Sequence, residues 1–134
     1  MRIILFQGEE NKEKILDGRK TMTARCWSNN YKHFEVGEIV AAQTGRKKDT
    51  RFAHLEITKI FRWHLGSDTN IFFWNDEKEK WESPSIQKLT TIAKKEGYGT
   101  WAEFMGAYIT LNGSRLQALG RTNWFIEFKV IHEV

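Results

Sequence analysis

The chain has one cysteine, Cys26, in 134 residues, so no disulfide can form within it and an oxidising compartment is disfavoured. Its four histidines, His33, His54, His64 and His132, show no HxxxH spacing and have no CxxC pair beside them, which argues against a zinc site. No metal or other cofactor is expected. The longest apolar run, Ile3 to Phe6, is too short to cross a bilayer, and no membrane partner is expected. The opening "MRIILF" lacks the succession of a secretion signal and reads as a first strand, which makes the cytoplasm the expected location. Repeats, linkers and low-complexity segments are also lacking.

What is present is ordinary in bulk and uneven in detail. Hydrophobic residues make up 40% and charged residues 28%, as in a folded globular chain. The length fits one domain, residues 1–134, with a real core. Twenty-one Lys and Arg against seventeen Asp and Glu leave a formal charge of +4, which suits an anionic ligand without specifying one. Six tryptophans, Trp27, Trp63, Trp74, Trp81, Trp101 and Trp124, are predicted to lie mostly in the core. One or two beside basic residues could stack on a base. No feature sets an oligomeric state.

Residues 9–17 read as a short amphipathic helix closed by Gly18, and residues 21–25 as a strand with Thr21, Thr23 and Arg25 on one face and Met22 and Ala24 on the other. The polar face is expected to meet a cavity or water. Residues 34–63 read as strand, tight basic turn and strand, with Ala53, Leu55, Ile57 and Phe61 alternating inward and Lys59 breaking the apolar face. Residues 66–82 show no clear period and read as an irregular loop or ribbon. Ser83 and Pro84 predict a helix start, with Ile86, Leu89 and Ala93 as its buried stripe and Gly97 as its end. Thr100 and Glu103 have capping-box spacing for a second helix. The segment from Trp124 alternates as a closing strand. The pattern predicts an α+β domain built on a small β-barrel with inserted and flanking helices.

Four sets of residues could carry chemistry. Gly18, Arg19 and Lys20 sit at a helix end, where cations offset the macrodipole. Thr21, Thr23 and Arg25 form a polar row next to them, able to recognise a base, sugar or phosphate. A crowd of cations would lower the pKa of Lys20 and fit it for general-base work. Lys20 must reach around the turn to do so. Glu96 lies at the wrong end of the helix dipole, which raises its pKa and suits it to deliver a proton. Arg46, Lys47 and Lys48 occupy a predicted hairpin turn, as a solvated tip or a phosphate contact. The residues alone leave structural and functional readings open for each group.

The stretch "ILDGRKTMTAR" resembles the helix-end "G-x-K-x-x-T-x-R" element of the ASCH family of PUA-like domains, and the similarity continues through "HFEVGEIV", "AKKEGYGTWAEF" and "WFIEFKVI". The resemblance implies a PUA-like barrel fold and, by likeness to small bacterial members of that family, hydrolysis of N4-acetylcytidine to cytidine and acetate. It places the catalytic lysine, threonine and glutamate on Lys20, Thr23 and Glu96. Gly18, Arg19, Thr21 and Arg25 would then bind substrate. Residues 66–82 and 108–121 look like additions to the compact family pattern. The resemblance also implies an alternative, an RNA-binding module or ribonuclease that holds single-stranded RNA in the same basic pocket, with Arg46, Lys47 and Lys48 extending the track.

Overall fold

The longest strand organises the chain. In the computed structural model, which describes residues 1–66 and 70–134, β4 (Arg51–Leu65) pairs along one edge with the last strand, β7 (Arg121–Glu133). The first half of its other edge pairs with β3 (Ile39–Gln43), and its end pairs with β5 (Ile71–Asn75). The short strand β1 (Ile3–Leu5) lies parallel to β3, while β2 (Met22–Ser28) lies antiparallel to β7 and β6 (Lys80–Glu82) antiparallel to β5. The result is one mixed seven-stranded sheet. Helix α1 (Glu9–Leu16) connects β1 to β2, and α2 (Ile86–Lys95) and α3 (Trp101–Asn112) precede β7. The domain is therefore α+β, as expected.

The expected barrel is not closed. Among the described residues no ladder joins β1 to β2. β1 has only three residues, and the gap between the two strands is bridged by a side chain, with Arg25 Nη2 donating to the Leu5 carbonyl at 2.7 Å. This seam is where the cavity described below opens.

Because both faces of the sheet are covered, many neighbouring strand residues are buried together. Ile126 and Phe128 face a cluster with Ile4, Phe6, Ile15 and Leu55. Phe125 faces the other, with Trp63, Phe73, Ile92 and Phe104. Two irregularities in the β4–β7 register, at His54/Leu55 and Ile57/Lys59, let the long pair curl. The second explains why Lys59 interrupts the apolar alternation read from the sequence.

Four other expectations need correction. Among the tryptophans only Trp63 is fully buried, while Trp81 is 44% exposed and the other four are half-buried. The second helix begins later than read: Ser85 is its N-cap, accepting the Lys88 amide at 3.1 Å, and Pro84 precedes the helix instead of opening it. Ile86 is consequently 83% exposed, and Ile92 joins Ala93 in the buried stripe. Within residues 66–82 the structure forms the β5–β6 hairpin; the part of that reading that falls on residues 67–69 lies outside the described residues. The period was hidden because "IFFW" is apolar at both alternating sets of positions. Gly18 and Gly97 do take positive φ at the ends of α1 and α2, and Thr100 caps α3 through the Glu103 amide. No helix among the described residues is long and apolar enough to cross a membrane.

Phe125 is the aromatic keystone, with its ring centroid 5.1 Å from Trp63, 5.3 Å from Phe61 and 5.7 Å from Phe104. Phe125→Ala is expected to cost about 3–5 kcal/mol, readable as a lower urea midpoint at unchanged slope. A loss under about 1 kcal/mol would show that the site collapses around the gap.

Candidate active site

Lys20 and Glu96 are far apart in sequence and meet because the backbone around each is pinned. The Lys20 amide donates to the Lys14 carbonyl at 2.9 Å, folding the turn after α1 back onto the helix. The next residue, Thr21, donates its amide to the Lys95 carbonyl at 2.8 Å and accepts the Phe128 amide at 2.9 Å. That stitch fastens the last residue of α2 to the entrance of β2 and to β7. A Lys95–Glu127 ion pair at 2.7 Å reinforces it. Gly97 lets the segments approach closely: its φ is +89°, and a Cβ there would stand 3.1 Å from Lys14 Cδ and 3.6 Å from Lys20 Cβ.

The ends of the two segments form a buried pair. Lys20 Nζ donates to Glu96 Oε1 at 3.1 Å and to the Glu96 carbonyl at 3.0 Å, and the residues are only 6% and 4% exposed. Glu96 Oε2 is buried with no partner at full hydrogen-bonding geometry among the described residues, the Ala24 backbone contributing only weakly to the carboxylate. Burial pushes the Glu96 carboxyl above its ordinary value, against the attraction of Lys20 and, less strongly, Arg25. Burial likewise pulls the Lys20 ammonium below its ordinary value, against the attraction of Glu96. The cations Arg25 and Lys14 add only smaller contributions in the same direction. Both groups are thus driven toward their neutral forms by loss of water, rather than by the helix dipole or the crowd of cations that the sequence suggested.

Beside the pair, a cavity of about 550 Å³ runs along the unpaired edge of β2. Thr23, Ala24, Arg25, Cys26 and Trp27 all line it. Residues from both faces of the strand therefore contribute, whereas alternation predicted that only the Thr–Arg face would. Thr23 is buried at 4% exposure, and its Oγ1 accepts from Arg25 Nε at 3.2 Å. The Arg25 guanidinium also packs over the Phe6 ring at 5.2 Å. No hydrogen bond joins Lys20 Nζ to Thr23 Oγ1 among the described residues, although both line the cavity.

The remaining predicted binding residues lie elsewhere. Gly18 and Arg19 are exposed, and Arg19 is held by Asp17 through its amide and its Nε at 3.0 and 2.7 Å. Thr21 is half-buried outside the cavity wall and acts through its backbone. Arg46, Lys47 and Lys48 are exposed on the β3–β4 connection. The buried Gln43 amide anchors that loop by donating to the Gly45 carbonyl at 3.0 Å and the Lys47 carbonyl at 3.3 Å. Those three basic residues do not line the cavity. Two of the half-buried tryptophans lie elsewhere again: Trp124 is tilted against His33 at 4.6 Å and Arg62 lies 4.7 Å over Trp74, both beside a second cavity of about 590 Å³.

Sequence reasoning missed the opposite wall. Phe104, Tyr108 and Leu111 of α3 line the cavity, at a helical spacing that marks one face and could have been read. The Tyr108 hydroxyl donates to Asn123 Oδ1 at 3.1 Å, and burial raises its pKa well above the ordinary value. Asn123 in turn donates to the Leu116 carbonyl at 3.0 Å, while Cys26 Sγ lies 3.4 Å from the Arg115 carbonyl. These bonds seat the 3₁₀ turn Gly113–Gln117 at the cavity mouth, and Arg115 becomes part of the lining. Nothing in the local sequence marked Arg115.

Against known proteins, no family model matches the chain, and no curated protein matches it significantly. Solved structures do resemble it. The ASCH domain of Lactobacillus crispatus JV V101 is similar with a TM-score of 0.59 at 15% identity, over 98% of this chain and 79% of that one. Protein EF3133 of Enterococcus faecalis V583, described with the DUF984 family, gives 0.58 at 17% identity over 99% and 81%. The hypothetical protein PH0355 gives 0.58 at 15% identity over 98% and 100%. The chain therefore has the fold of an ASCH domain.

Removing one member of the buried pair leaves the other without compensation. Lys20→Met is expected to lose roughly 3–5 kcal/mol at neutral pH. The sign of its pH dependence follows from Glu96: alone and buried it stays protonated when folded but ionises when unfolded above about 4.3, so the variant regains stability as pH falls through that window. Adding Glu96→Leu is expected to restore most of the loss at neutral pH. Urea titrations of the single and double variants at acid and neutral pH check this, and equal stability of the single variant and the native protein at neutral pH would refute it.

Proposed function

We propose that the cavity hydrolyses the acetyl amide of N4-acetylcytidine, releasing cytidine and acetate. The observation that carries this reading is the buried Lys20–Glu96 pair, whose partners are both displaced toward neutrality beside a buried threonine hydroxyl. A neutral lysine accepts protons and a neutral carboxyl donates them, so one proton moved within the pair prepares both base and acid.

The steps balance on that basis. Thr23 Oγ1 attacks the acetyl carbonyl while Lys20 takes its proton. Arg25, which already donates to Thr23 Oγ1, stabilises the negative charge that develops on the oxygen. Glu96 protonates the exocyclic nitrogen as the carbon–nitrogen bond breaks, and cytidine leaves. In the second half Glu96, now a carboxylate, removes a proton from water as the water attacks the acetyl ester. Thr23 recovers its proton from Lys20, and acetic acid departs and ionises. The aromatic wall of Phe104 and Tyr108 bounds the side of the cavity that would face the pyrimidine.

An RNA clamp is the second reading, favoured by the half-buried rings of Trp74 and Trp124 beside Arg62 and His33. It predicts affinity that falls steeply with salt. Hydrolysis of a neutral nucleoside does not.

Cytidine release from N4-acetylcytidine, followed by chromatography, tests the proposal. Lys20→Ala, Thr23→Ala and Glu96→Gln are each expected to lower kcat/KM by about 10²–10⁴-fold, with circular dichroism confirming that each variant is folded. Full turnover by Thr23→Ala would remove the nucleophile from the scheme. The pH profile is expected to be bell-shaped. Its acid limb lies above the ordinary glutamate value of 4.5, where the pair gains a second proton and Lys20 can no longer act as base. Its alkaline limb lies below the ordinary lysine value of 10.5, where the pair loses its shared proton and Glu96 can no longer act as acid.

A further inference from the structure

The charges around the cavity do not cancel. Lys20, Arg25 and Arg115 line it against the single carboxylate of Glu96. Lys20 and Glu96 neutralise each other at 3.1 Å, leaving two guanidinium groups with no carboxylate within ion-pair distance among the described residues. Arg25 is the deeper of the two. Its Nε and Nη2 donate to Thr23 and Leu5, and it carries its charge among buried groups where an unpaired cation is unfavourable. Arg115 stands at the mouth on a turn fixed from below, through the Cys26 contact to its own carbonyl and the Asn123 bond to the carbonyl of buried Leu116.

An exposed arginine on a floating loop would be a solvated charge. Arg115 is itself exposed, but its backbone is fixed, so its guanidinium extends from a set point beside a cavity that holds a second unneutralised guanidinium and can meet an anion there. Arg25 is already engaged with Thr23 at the reacting end, which leaves Arg115 for a charge carried on the far end of the substrate. A nucleoside has no such charge, whereas a nucleotide has one on its sugar. The cavity, at about 550 Å³, lies in the range that encloses a ligand of nucleotide size.

We propose that the cavity is built for a phosphate-bearing cytidine, with Arg115 as the residue that selects the phosphate. The identity of the base rests on the acetylcytidine reading; the preference for the anion rests on the unneutralised guanidinium groups alone. The phosphate can belong to a mononucleotide or to RNA, and the same chemistry recognises both.

Calorimetric titration of cytidine and cytidine 5′-monophosphate into the native protein, Arg115→Ala and Arg115→Lys separates the possibilities. The monophosphate is expected to bind the native protein about tenfold or more tightly than cytidine, with the advantage shrinking as salt rises. Arg115→Ala is expected to erase that advantage and Arg115→Lys to retain part of it, with melting curves confirming that both variants are folded. A short cytidine-centred oligonucleotide that binds more tightly than the monophosphate assigns the phosphate to RNA; weaker binding assigns it to the free nucleotide. Equal binding of cytidine and its monophosphate, a preference that survives in Arg115→Ala, or no binding of either overturns the proposal.

Parallel hydrolysis assays on N4-acetylcytidine and its 5′-monophosphate keep the two claims apart. A preference for the monophosphate without cleavage of either acetylated compound supports the anion subsite and defeats the hydrolase reading. Cleavage of both with equal kcat/KM, unaffected by Arg115→Ala, defeats the anion subsite and leaves the hydrolase reading standing.

Discussion

The ion pair between Lys20 and Glu96 is the constraint on which the site depends. Two ionisable groups almost wholly removed from water are tolerable only when each compensates the other, and the compensation requires the turn after α1 and the end of α2 to be held together. The chain meets that demand with backbone bonds from Thr21 to Lys95 and Phe128, and with a glycine at position 97 where any side chain would crowd Lys14. Two segments of different elements thereby act as one rigid corner. Loss of the corner would separate Lys20 from Glu96 as well as unfold the turn.

The open seam between β1 and β2 serves the same corner. A closed barrel would pair the free edge of β2 with a strand and cover Thr23 and Arg25 with backbone. Here β1 ends after three residues, and Arg25 crosses to the Leu5 carbonyl in place of a ladder. The edge thus stays accessible to a ligand while its nearest polar groups remain anchored. Helix α3 and the turn that follows it close the opposite side with Phe104, Tyr108 and Arg115. The seam therefore has a polar wall on one side and an aromatic wall with a cation on the other.

Much of the framework was legible in the sequence because it rests on local rules. Gly18 and Gly97 ended helices where positive φ was needed, Thr100 capped α3, and Ala53, Leu55 and Ile57 pointed inward. Ser83 misled because the capping rule has no means of choosing between serines on either side of Pro84. The β5–β6 hairpin was hidden because residues 71–74 of its first strand are all apolar, and the tryptophans were over-assigned to the core because size predicts burial only on average. At the site, the motif around Lys20 was readable, but its partners were not equally so. Glu96 stood out by its position on the helix, whereas Arg115 reaches the cavity only because distant residues seat its turn. Arg19 looked similar to Arg25 in composition and is turned away by Asp17, two residues before it.

The protonation behaviour of the pair is what joins its burial to its chemistry. The most direct measurement is a titration of the Glu96 side-chain carboxyl carbon by nuclear magnetic resonance in glutamate-labelled protein, assigned by its disappearance in Glu96→Gln. The account predicts a carboxyl that titrates above the ordinary glutamate value, because burial outweighs the attraction of Lys20. A carboxyl that titrates at or below that value would mean that the pair is a fixed ion pair, structurally important but unable to exchange the proton on which the proposed reaction depends.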